Sequence, residues 1–170
     1  MSKYYITYET DFPEVVWGYG KTIKESLEMV GDIEPLGIGE LSTIRCTKEL
    51  CDYVSDNGGE NVPWIKVNGI ANLSKIITLC GSTRFKEQYE KASRDETLKG
   101  NIVLSVGLFG HLEGIDMNGE TKKMLDELHK RKIDLADEIL VINVGGYIGK
   151  STSGEIEYAK EHEKKIRYLE

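Results

Sequence analysis

A chain of 170 residues with 22 Lys and Arg against 29 Asp and Glu carries a formal net charge of −7, and so lacks the basic stripe that grips an extended nucleic-acid backbone. Its three cysteines, Cys46, Cys51 and Cys80, form no C-x-x-C pair and have no matching histidines, so neither a disulfide framework nor a metal site is signalled. The opening MSKYYITYETDFPE has no apolar leader and no run approaches the ~18 apolar residues of a membrane span, which leads us to expect a cytoplasmic protein with no membrane partner.

Residues 1–73 read as a small α+β unit. Lys3–Glu9 and Glu14–Tyr19 are aromatic and β-branched runs flanking Asp11-Phe12-Pro13, the pattern of a hairpin. Thr22 is placed to cap IKESLEMV, in which Ile23, Leu27 and Val30 recur at helical spacing. A third strand is expected at Leu41–Cys46. A helix capped by Thr47 and ended by Asn57-Gly-Gly follows, and then a last strand over Val62–Ile70. No chemistry gathers here; Trp17, Trp64, Cys46 and Cys51 read as packing residues.

From Ser74 the pattern becomes strand and helix in alternation. Lys75–Cys80, Asn101–Val106, Glu138–Asn143 and Lys165–Leu169 are strands. Thr83–Lys99, Gly119–Ala136 and Thr152–Lys164 are helices, the second with Met124, Leu125, Leu128 and Leu135 on one stripe. Continuous apolar strands alternating with helices predict a parallel sheet with right-handed crossovers, hence a three-layer α/β domain of Rossmann or flavodoxin-like kind over 74–170. A strand order second-first-third-fourth puts a crevice outside the carboxyl ends of the first and third strands.

Two loops meet at that crevice. In the first, Gly81-Ser82-Thr83-Arg84 ends a strand and opens a helix, so N–H groups, hydroxyls and a guanidinium can face one anion. Equally, Ser82 or Thr83 caps the helix and Arg84 pairs with Glu87. Cys80, at the strand end, reads as buried packing. The second loop, VINVGGYIGKST, has the look of a P-loop, but Val144 stands where its first glycine belongs and Gly145 leaves the loop one residue short. It supplies Gly145, Gly146 and Tyr147 as close backbone or ring contacts, then the hydroxyls of Ser151, Thr152 and Ser153. Glu155 follows in the expected first helical turn, where the helix dipole would keep it ionised. An ionised carboxylate across from a phosphate site suits attack on, or stabilisation of, the anomeric carbon of a nucleotide. His129, with Asp126 and Ile133 on its face, is either a solvated helix residue or a group acting on the departing base. The glycine-rich stretch from Gly107 is long enough to close over that base.

Together these segments resemble the nucleoside 2-deoxyribosyltransferase-like superfamily. LCGSTRF is similar to the phosphate loop of its branch that hydrolyses 2′-deoxynucleoside 5′-monophosphates. LADEILVIN and GEIEYAKEHEKKIRYL are similar to its third strand, catalytic-glutamate helix and last strand. The resemblance covers Lys75–Glu170 and implies a nucleotide N-glycosidase without cofactor or metal. It places Glu155 as nucleophile, Ser82, Thr83 and Arg84 on phosphate, and Ser151 or Ser153 as a second phosphate contact. A homodimer is also implied. This chain carries Thr78 where the family usually has an assisting tyrosine, and His129 where it usually has an aspartate. The alternative from another class is a module that binds a nucleotide or an NAD-derived ligand without turnover.

Overall fold

A computed structural model of the chain describes residues 2–31, 40–107 and 119–170. Two compact units divide it, 1–74 and 75–170. No helix among the described residues is long and apolar enough to cross a membrane.

In the first unit, β1 (Tyr4–Glu9) and β2 (Val16–Gly20) form the expected hairpin, followed by α1 (Ile23–Glu28), β3 (Leu41–Cys46) and α2 (Lys48–Asn57). With β4 (Trp64–Val67) and β5 (Ile70–Leu73), the sheet order is β2-β1-β3-β5-β4, with only the β3–β5 pair parallel. Its core gathers Ile6, Val16, Leu50, Val54, Val62 and Ala71, with Cys46 and Cys51 buried as free thiols. Trp64 packs edge-on to Tyr8 and donates its indole N–H to the Pro13 carbonyl.

Two expectations are corrected here. The Ile23–Leu27 stripe of α1 faces outward; the helix instead buries Ser26, whose hydroxyl lies 2.7 Å from Thr7 Oγ1. Gly18 permits this approach, because a Cβ there would sit 2.0 Å from the Ser26 carbonyl oxygen. The single strand expected over Val62–Ile70 is two, β4 (Trp64–Val67) and β5 (Ile70–Leu73), joined by Asn68-Gly69 at φ 50° and 79°. Two consecutive positive φ angles make a tight hairpin turn, which Asn-Gly favours.

The second unit is α/β, and its four-stranded sheet is wholly parallel in the order β7-β6-β8-β9. The elements are β6 (Ile76–Gly81), α3 (Lys86–Leu98), β7 (Ile102–Leu104), α4 (Gly119–Leu135), β8 (Glu138–Ile142), α5 (Lys150–Glu161) and β9 (Lys165–Tyr168). Tyr89 and Ala92 of α3 pack on Ile77, Leu79, Leu140 and Ile142 on one face. Ile133 of α4 with Ile156 and Ala159 of α5 packs on Cys80, Ile139 and Val141 on the other. The chain leaves β6 toward one face and β8 toward the other, so a crevice opens where Gly81 pairs with Ile142.

The apolar stripe expected to bury α4 is also corrected. Met124, Leu128 and Leu135 are exposed, whereas His129 and Ile133 are buried.

Two carboxylates on this unit, Glu96 and Glu138, are 3% exposed and share Arg167 of β9. Burial pushes the Glu96 carboxyl up, but hydrogen bonds from Lys99, Arg167 and Asn101 outweigh it and hold the group below its ordinary value. A depressed carboxyl contributes stability that is present above the unfolded value and lost as pH falls through the folded one. Glu96→Gln should therefore cost about 2 kcal/mol near pH 7, below the usual range for breaking a buried pair because Arg167 is partly solvated. The difference in melting temperature between wild type and variant should close below about pH 4.

Candidate active site

Gly81 ends β6 in contact too close for any side chain: a Cβ would lie 2.9 Å from the Ile142 carbonyl oxygen and 3.2 Å from the Tyr89 hydroxyl. That hydroxyl donates to the Gly81 carbonyl at 2.8 Å, from a ring that is fully buried. The chain then turns through Ser82–Phe85, with Phe85 N–H on the Ser82 carbonyl. The helix expected from Thr83 begins only at Lys86, and its N-cap Phe85 makes no side-chain capping bond. Neither Ser82 nor Thr83 therefore serves as the cap, and both line the pocket described below.

Arg84 reaches neither Glu87 nor the helix end. Its Nε donates to Ser82 Oγ at 3.1 Å and its Nη2 to the Tyr147 hydroxyl at 2.7 Å, with the guanidinium 4.1 Å from the Tyr147 ring centre. A cation over an aromatic face with a hydrogen bond at the ring's edge ties the two loops together.

The second loop holds its own amides. Gly145 and Gly146, at φ 60° and 74°, form one tight turn. Gly145 N–H donates to Glu170 Oε2 at 2.6 Å, Gly146 N–H to the Asn143 carbonyl and Tyr147 N–H to the Val144 carbonyl. Gly145 and Gly146, expected to let the backbone approach a ligand closely, do not line the pocket described below. A P-loop needs these amides turned onto an anion, so that reading falls too. Ser151 is on the pocket wall, whereas Ser153 is exposed and off it.

A pocket of about 560 Å³ spans these loops and the inner side of α4, a size suited to a nucleotide-sized ligand. Glu155 and His129 meet in it. Glu155 is the sixth residue of α5, in its second turn, and not in the first turn as expected. The helix end consequently does not keep it charged. Burial, then the charge of Asp126, pushes its carboxyl up to about 7, against Lys122, the Cys80 thiol and the Gly81 amide, which act in the opposite direction. Its Oε2 is buried and finds no hydrogen-bond partner among the described residues.

His129 is 8% exposed, not solvated. Its Nε2 lies 3.8 Å from Glu155 Oε1 and 3.4 Å from Cys80 Sγ. Burial, then Lys132, draws the imidazole down to about 4, so it is neutral near pH 7 and makes no ion pair with Glu155. Cys80 is inaccessible, and burial followed by the neighbouring Glu155 raises its thiol well above the ordinary range. Thr78, two residues earlier on the same face, spends its hydroxyl on the Lys132 carbonyl at 2.9 Å and is off the pocket wall.

Sequence reasoning passed over Lys122 and gave Asp126 no role. Lys122 Nζ is 2.6 Å from Asp126 Oδ2 and 3.4 Å from Ser151 Oγ, so it links α4 to the start of α5. The signal was available: Lys122, Asp126 and His129 recur at i, i+4 and i+7, a polar stripe on one helix face. Tyr89 was missed because nothing local marks a helix tyrosine as the support of a strand end. Of the glycine-rich stretch from Gly107 expected to close over a base, 108–118 lie outside the described residues.

Comparison with protein-family models, with curated proteins and with solved structures found no match.

The Tyr89–Gly81 bond is open to a direct test. Tyr89→Phe leaves a carbonyl unpaired at the loop's root and should cost about 1–2 kcal/mol in chemical denaturation. Gly81→Ala should cost more, since backbone must move to admit its Cβ.

Proposed function

We propose that the second unit binds a nucleoside 5′-monophosphate and cleaves its N-glycosidic bond. The observation that carries this reading is the unpartnered, buried oxygen of Glu155 in the same pocket as the Ser82-Thr83 loop. The resemblance of LCGSTRF and of the Glu155 helix to the 2′-deoxynucleoside 5′-monophosphate hydrolases points the same way.

The phosphate rests on the Ser82 and Thr83 hydroxyls, with Ser151 and Lys122 on the neighbouring wall, and Arg84, itself off that wall, reaches it by turning from Ser82 Oγ and the Tyr147 hydroxyl. C1′ of the sugar then faces Glu155. The carboxylate forms a bond to C1′ as the C1′–N bond breaks, the electron pair leaving with the base, which takes a proton from water. A second water hydrolyses the glycosyl ester and restores the carboxylate. His129, being neutral, acts as a hydrogen-bond partner to base or sugar and not as a proton donor. No metal takes part in these steps. The resemblance further implies a homodimer, and the free cysteines suit a reducing cytoplasm.

The second reading is a module that binds a nucleotide or an NAD-derived ligand without turnover. It is favoured by the burial that pushes the Glu155 carboxyl up to about 7, toward its neutral and less nucleophilic form.

Incubation with ribo- and deoxynucleoside monophosphates, nucleosides and NAD in chelator, with free base followed by chromatography, separates the two. Base release should fall at least about a hundredfold in Glu155→Gln, with ligand affinity largely kept. Arg84→Ala should weaken monophosphates about tenfold to a hundredfold, the value of a charge-assisted hydrogen bond, and leave nucleosides unchanged. Binding of one compound without base release from any would move the assignment to the module.

A further inference from the structure

Cys80, His129 and Glu155 arrive from β6, α4 and α5, three elements far apart in sequence, and their donor atoms all lie within 4.8 Å of one another. In a thiol–imidazole–carboxylate relay the acid and the thiol occupy opposite ring nitrogens, so that one orients the ring and the other exchanges a proton with it. Here Cys80 Sγ and Glu155 Oε1 both face Nε2, at 3.4 and 3.8 Å. The three donors converge on a point, not along a line. Tetrahedral zinc, with its bonds of about 2.0–2.3 Å to nitrogen, oxygen and sulfur, sets its ligand atoms about 3.4–3.6 Å apart. The Cys80–His129 separation of 3.4 Å already fits, and the His129–Glu155 separation of 3.8 Å exceeds that range by a few tenths of an ångström.

We propose that Cys80, His129 and Glu155 form a binding site for one thiophilic divalent cation, of which Zn²⁺ is the type. Imidazole, thiolate and carboxylate together suit Zn²⁺ or Co²⁺, whereas Mg²⁺ asks for oxygen ligands in an octahedron. A second observation supports the site independently: the buried Glu155 Oε2 lacks a hydrogen-bond partner among the described residues, and a cation beside the carboxylate would satisfy it. His129 and Glu155 line the pocket while Cys80 lies behind them, so the ion enters from the pocket and keeps its fourth position toward it. On binding, the Cys80 S–H bond breaks, the proton goes to solvent and a metal–sulfur bond forms.

One consequence rests on the glycosidase reading. A cation on Glu155 draws charge from both carboxylate oxygens and so weakens the group as a nucleophile toward C1′. Zinc then acts as an inhibitor that a chelator reverses.

The test titrates the full chain, stripped of metal by chelator, with Co²⁺ and follows absorption. One equivalent should bind with a sulfur-to-cobalt charge-transfer band in the near ultraviolet and visible bands of tetrahedral cobalt, and Zn²⁺ should displace it. Cys80→Ser should lose the charge-transfer band, and His129→Ala should weaken binding at least about tenfold, the effect expected of a lost ligand. Cys51→Ser, which removes a different buried thiol, should leave the spectrum unchanged. A wild-type spectrum with no sulfur band overturns the site whatever the variants do, as does equal affinity in wild type, Cys80→Ser and His129→Ala. None of these readings uses turnover, so a failure of base release and a failure of metal binding are told apart.

Discussion

The second unit is organised around the close approach at Gly81. The missing side chain lets β6 end flush against β8, and every group of the site is placed from that point. Tyr89 holds the glycine's carbonyl from α3 on one face of the sheet. From α5 on the other face, the Glu155 carboxylate is turned toward its amide. The loop that follows carries Ser82 and Thr83 to the pocket and sends Arg84 over Tyr147. One residue thus couples both helical layers to the crevice that the parallel topology opens, and a methyl group there would push against backbone, which has nowhere cheap to go.

The site is an exercise in burying titratable groups beside one another. Desolvation acts on Glu155 and Cys80 to favour protonation and on His129 to favour its loss, so all three lean toward neutrality where they meet. Asp126 adds to the effect on Glu155 and Lys122 subtracts from it, which makes the Lys122–Asp126 pair a local control on the state of the carboxyl. At the far end of the same sheet the balance is reversed. Glu96 is less exposed than Glu155 yet held below its ordinary value, because Arg167, Lys99 and Asn101 supply donors to its oxygens. The contrast separates two kinds of carboxylate on this unit: Glu96 and Glu138 are supplied with partners, whereas Glu155 keeps a buried oxygen without one among the described residues.

Much of the architecture was legible in the sequence because strands buried on both faces leave unbroken apolar runs, and ILVI and ITLC do so here. Caps at Thr22 and Thr47 and the stops at Gly58 and Gly100 were equally plain. Amphipathic readings failed where a helix buries polar atoms. In α1 the inward residue is Ser26, bonded to Thr7. In α4 it is His129, held against Cys80 and Glu155, while Met124, Leu128 and Leu135 face outward. Hydrophobic spacing cannot reveal an inward polar stripe, because the energy that holds it comes from partners in other segments. For the same reason local context was enough to place Ser82, Thr83 and Glu155 at the crevice, whereas the meeting of Cys80 with His129, 49 residues apart, left no local mark.

The convergence at His129 Nε2 also bears on why the position is a histidine. An aspartate there would set a second carboxylate against Glu155 and raise that group further by like charge. A neutral imidazole avoids that repulsion while still offering one hydrogen bond or one ligand bond. With Thr78 committed to the Lys132 carbonyl, the atom from the first strand that stands beside Glu155 is sulfur, not a phenolic oxygen. Thiol, imidazole and carboxyl together are softer and less charged than a cluster of acids and tyrosine. If the cation site proposed above is occupied, the same three side chains that set the charge of the pocket floor also set its preference for a soft ion over a hard one.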